Sequence, residues 1–98
     1  MKKIPPFKLI PTPLNGEASN LPKFKWAGNE IGTRHQLGGE PRFLQGVEHP
    51  LCSECKEEMS FYAQLDSIND DFNLADCGML YVFVCFKCYT AVAFIQSF

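Results

Sequence analysis

Three apolar runs dominate the second half of the chain and predict a small antiparallel sheet. Met59, Phe61, Ala63 and Leu65 alternate with Ser60, Tyr62 and Gln64, the period of two that lays one face of a strand against a core. Residues 79–86 are almost wholly apolar and read as a central strand buried on both faces. Residues 90–98, with Ala91, Val92, Ala93, Phe94 and Ile95, read as its antiparallel partner, joined to it through the turn at 85–88. Between the first two runs, residues 68–76 form a polar connection with Asn69-Asp70-Asp71 as its turn signal. A short helix over 66–72 fits there, although nothing in the sequence requires it.

The first half carries little periodicity and much Pro and Gly. Lys8-Leu9-Ile10 and Lys23-Phe24-Lys25-Trp26 predict short strands, the second half-buried with its lysines outward. The same Lys/aromatic alternation can also stack on bases. Gly38-Gly39-Glu40-Pro41 is turn chemistry; with no Gly-Lys-Ser/Thr after it, it is not a phosphate loop. The expectation is a single domain over 1–98, mainly β with little helix. It divides into an irregular Pro/Gly-rich segment, 1–34, and a zinc-ribbon-like module, 35–98.

The chemistry concentrates in two matched pairs, Cys52-Ser53-Glu54-Cys55 and Cys85-Phe86-Lys87-Cys88. A C-x-x-C turn brings two thiolates together, and two such turns supply a tetrahedral zinc site. The pairs are 29 residues apart, more than the usual roughly 15–20; an extra strand in the intervening loop accounts for the excess. A redox dithiol needs only one pair in a thioredoxin-like context. Two disulfides and an iron–sulfur centre are the alternatives to one structural zinc on Cys52, Cys55, Cys85 and Cys88. Cys77 is unpaired and reads as a small buried hydrophobe. His49, three residues before Cys52, is not needed once four thiolates fill the site, and His35 has no catalytic partner at a useful spacing.

Composition narrows the class. Apolar residues at 46%, in 98 residues, exclude disorder and allow one modest core that gains from a metal staple. No apolar run approaches the roughly 20 residues that cross a bilayer. Pro5, Pro6, Lys8, Pro11 and Pro13 interrupt any signal-peptide core. A cytoplasmic protein with reduced thiols is expected. Residues 1–49 hold seven Lys/Arg against four Asp/Glu, and residues 50–98 hold two against seven. The metal-bearing half should therefore repel nucleic acid. Its acids Glu54, Glu57, Glu58, Asp66, Asp70 and Asp71 suggest a surface for a basic protein partner. The alternative is a nucleic-acid-binding ribbon using Lys23, Lys25, Trp26, Arg34 and Arg42 of the basic half. G-x-S-x-G, H-E-x-x-H and deaminase-type H-x-E patterns are all absent, and four cysteines leave zinc no open position. The expectation is a non-catalytic protein.

One ordered set of residues goes further: His35-x-x-Gly38-Gly39-x-Pro41-x-x-x-Gln45, Pro50-x-Cys52-x-x-Cys55, Met59-x-Phe61, Gln64-Leu65-Asp66 and Asp76-x-Gly78-x-x-Tyr81-x-Phe83-x-Cys85-x-x-Cys88. It resembles the YwqG-like family of bacterial proteins of unknown function, in the version with a zinc-knuckle pair, over roughly residues 35–88. Relatives in that family often lie beside polymorphic-toxin genes, and some are considered immunity proteins. The resemblance implies a binding role, with a toxin as the partner.

Overall fold

The computed structural model describes residues 3–98. Its elements are β1 (Phe7–Lys8), α1 (Gly16–Ser19), β2 (Gln36–Leu37), β3 (Ser60–Asp66), β4 (Met79–Val84) and β5 (Ala91–Gln96). The strands form one sheet in the order β1-β2-β3-β4-β5, with every neighbouring pair antiparallel. The mainly β class, with almost no helix, is as the apolar runs indicate. The single helical turn, α1, is capped by Asn15, whose side chain accepts from the Ala18 amide at 2.9 Å.

The short strand read at 8–10 forms slightly earlier, as β1 at Phe7–Lys8, and pairs with β2; the first half departs from expectation at 23–26. Residues 23–26 form no strand, and Trp26 is largely exposed. Alternation produces a strand only where the segment finds a pairing neighbour, and residues 23–26 pair with no strand among the described residues. The chain instead returns through tight turns, with Ile31 N–H donating to Gly28 O and Thr33 N–H to Glu30 O. Nor do residues 66–72 form a helix. Asn69 Oδ1 accepts from the amides of Asp71 and Phe72 at 2.9 and 3.1 Å, an Asx turn that captures donors a helix would use. The Gly38-Gly39 turn is as read, with φ of 67° and 76°.

Strand β3 carries the correction with the largest consequence. Phe61 pairs with Phe83, but Ala63 pairs with Val82, so Tyr62 is an extra residue in a β-bulge. The alternation changes phase there. Leu65, expected inward, is 39% exposed, whereas Gln64 is fully enclosed. Gln64 and Asp66 oppose Tyr81 and Met79 and share their buried face. On β4 that face holds Met79, Tyr81 and Phe83, while Leu80, Val82 and Val84 are only half-buried. The strand is therefore buried on one face, not both, because among the described residues no second layer covers the other.

The core is Met59, Phe61, Met79, Tyr81, Phe83, Cys52 and Cys85, with Phe43, Leu44 and Phe94 packed against it. Phe43 lies 5.2 Å from Tyr81 and 6.4 Å from Phe83, centroid to centroid. Buried polar side chains fasten the loop that carries it. Tyr81 Oη donates to Arg42 O at 2.6 Å. Gln64 Oε1 accepts from the Arg42 amide, and Gln96 Oε1 accepts from those of Leu44 and Gln45. A loop crossing an apolar face needs such partners for its backbone.

Candidate metal centre

Each C-x-x-C pair sits at the tip of a hairpin. The first hairpin is small, with Leu51 bridged to Glu58 and Cys52 N–H donating to Glu57 O at 2.8 Å. The second is β4–β5, where Cys85 N–H donates to Thr90 O at 2.9 Å. The two turns repeat one another. Lys56 N–H donates to Cys52 O and Tyr89 N–H to Cys85 O, at 2.9 and 2.8 Å. Both of these closing residues take positive φ, 63° and 56°, a strained choice for residues with a Cβ. In each turn an amide also points at sulfur: Glu54 N–H to Cys52 Sγ and Cys88 N–H to Cys85 Sγ, both 3.4 Å.

Because β3 and β4 are antiparallel neighbours, the two tips meet beyond one end of the sheet. The Sγ atoms of Cys52, Cys55, Cys85 and Cys88 all lie within 4.8 Å of one another. The Cys55–Cys85 separation is 3.8 Å. Four sulfurs about 2.3 Å from a central ion in tetrahedral geometry stand about 3.8 Å apart, so the cluster can hold a metal ion. It is not a pair of disulfides, since a bonded S–S distance is near 2.05 Å and all five cysteines are free.

The sulfurs differ in acidity. The Thr90 hydroxyl, 3.2 Å away, and the amides of Cys55 and Glu54 bring Cys52 down to about 6. At Cys55 a hydrogen bond to the Glu57 backbone favours the thiolate, but burial and the neighbouring sulfurs outweigh it and raise its pKa. Burial, followed by the other three thiols, pushes Cys88 up to about 12. Like charges forced together disfavour the simultaneous ionisation of neighbouring thiols. A divalent ion removes that penalty. Cys77 is buried away from the tetrad, with burial raising its pKa. His49 is half-exposed, its Nδ1 3.3 Å from Glu58.

The six acids do not form one surface. Glu54, Glu57 and Glu58 are exposed beside the cysteines, with Glu57 3.6 Å from Lys87 across the two turns. Asp70 and Asp71 lie past the far end of β3, about 20 Å of strand away. Asp66 is 3% exposed and cannot belong to a docking surface. It accepts from Arg34 Nε and Nη2 at 2.8 and 2.7 Å, and from the amides of Gly32, Arg34 and Ser67. Arg34 is thereby removed from the basic set, while Lys23, Lys25, Trp26 and Arg42 stay exposed. The sequence reading missed this buried pair because the bulge that turns Asp66 inward has no signature in a period-two pattern.

No family model matches the chain, and no solved structure matches it. It is 38% identical over 65 residues to YpfL, an uncharacterized protein of Salmonella typhimurium; the match takes in 66% of the chain and 15% of that protein. The chain thus spans only a small part of its relative's length. Among the described residues no helix is long and apolar enough to cross a membrane.

Proposed function

We propose that the chain is a non-catalytic module in which one structural zinc fixes the fold and the sheet binds another protein. The observation that carries the reading is the closed tetrad, in which four cysteines use every position of a tetrahedral ion and leave none for water or substrate. All-thiolate tetrahedral sites suit zinc or iron–sulfur centres. Elemental analysis of protein purified without added metal should give about one zinc per chain, and a stoichiometric iron content would overturn this assignment.

The protein-binding part is supported by β5, a sheet edge with no further strand beside it among the described residues. Natural edges are blunted by charge or proline, and Ala91–Gln96 has neither. Val92 and Ile95 stand exposed on it. An extended segment of a partner is the occupant such an edge suits, through strand addition. The resemblance to the YwqG-like family extends this to a toxin-neutralising role in the bacterial cytoplasm. Capture of a partner by the tagged chain should fail with Val92→Lys/Ile95→Lys and survive Glu54→Lys/Glu57→Lys/Glu58→Lys, zinc content being equal in both. The reverse pattern would transfer the contact to the acids.

A further inference from the structure

The metal centre and the β5 edge leave the outer face of the sheet unused, and the strand register fixes what that face is made of. Two cross-strand rows point outward, Leu65–Leu80–Ile95 and Ala63–Val82–Ala93. Leu37 and Phe7 continue the second row onto β2 and β1. All eight are apolar. By the same register Lys8, Gln64 and Asp66 belong to the core face, so no charged side chain stands at an outward strand position. Leu65, Ile95 and Phe7 are 39%, 51% and 55% exposed, and no second layer covers them among the described residues.

We propose that this face is where two copies of the chain meet, packing sheet on sheet about a two-fold axis to form a β-sandwich. The face is its own complement. Two copies bring no like charges together and strand no charged group. They also share one sheet twist, and equal twists let two sheets pack at about 30° with their side chains interdigitated. Each copy supplies the second layer that the other lacks.

The area agrees. Three strands about 20 Å long, with two short ones beside them at about 4.8 Å spacing, present a corrugated face of roughly 500–600 Å². That is the upper end of what a monomer leaves bare. Two such faces bury about 1,000–1,200 Å², enough for a specific but weak dimer. The backbone edge of β5 lies in the plane of the sheet and stays free, so this contact and strand addition stand or fall separately.

Sedimentation velocity of the full chain as purified, over about 1 µM to 1 mM, tests the contact. A species of twice the 11.1 kDa chain mass should form with a midpoint in the micromolar range. Added sodium chloride should not weaken it, since no ion pair crosses the interface. Leu65→Lys/Val82→Lys should weaken association at least about 100-fold by forcing lysines into an apolar contact. Val92→Lys, on the core side of β5, should associate as wild type does. Urea unfolding of each variant separates lost contact from lost fold. Isotope-filtered NMR on mixed labelled and unlabelled wild-type chains needs no variant, and should show contacts between copies from the Leu80 and Val82 methyl groups. A monomer throughout the range, or a dimer without those filtered contacts, overturns the proposal. So does a dimer lost with Val92→Lys and kept with Leu65→Lys/Val82→Lys, which would move the contact to the β5 edge.

Discussion

Asp66 shows how one buried residue links sequence to stability. Burial disfavours its charge, but hydrogen bonds and the positive charge of Arg34 outweigh burial and hold its carboxyl below the usual value of 3.8. A carboxyl depressed in the folded state contributes stability that is present above its unfolded pKa and lost as pH falls through the folded one. Resistance to urea, measured between pH 7 and 2, should therefore fall from about pH 4 downward. Asp66→Asn should flatten that acid limb. It should also cost about 3–5 kcal/mol at neutral pH by stranding Arg34. Thr90 is a second informative residue, since its hydroxyl helps hold Cys52 as thiolate. Thr90→Val should weaken metal affinity about 10- to 100-fold, the usual effect of removing a group that supports a ligand, as read by competition with a chromophoric chelator.

Two hairpin tips with equivalent turns hold the metal site, and each depends on the other for half its ligands. Cys85→Ser should remove the metal and abolish cooperative thermal unfolding or sharply lower its midpoint, because metal binding supplies folding free energy in small modules. Cys77→Ser should leave metal content intact. Much at this scale was legible in the sequence. The C-x-x-C spacing located the four cysteines that cluster, and the apolar runs located β4 and β5 with the second tip between them. What was not legible depended on partners remote in the chain. The Lys23–Trp26 pattern is a good strand pattern that pairs with no strand among the described residues. Gln64 reads as a polar position turned away from the core, yet it and Gln96 serve the backbone of the 42–46 loop.

The whole molecule is a single sheet covered on one side. Its cysteine tetrad lies at one end and its Arg34–Asp66 pair towards the other, with β5 and the outer face uncovered among the described residues. The bulge at Tyr62 permits this polarity, and it bears on how β3 tolerates changes in length rather than in composition. Phe61 opposes Phe83, and residues 63–66 oppose 82–79, whether or not a residue stands between them. Removing Tyr62 would therefore leave every other pairing of β3 with β4 intact as a regular strand. Removing Gln64 would instead bring Ala63 opposite Tyr81 and take away the side chain that holds Arg42. The Tyr62 deletion should fold and keep its acid limb, with a modest loss from the missing Gly38–Tyr62 hydrogen bond. The Gln64 deletion should lose cooperative unfolding in the same assay. Deletions in this strand are thus mild or ruinous according to which side of Ala63 they fall on, a property that no substitution series would reveal.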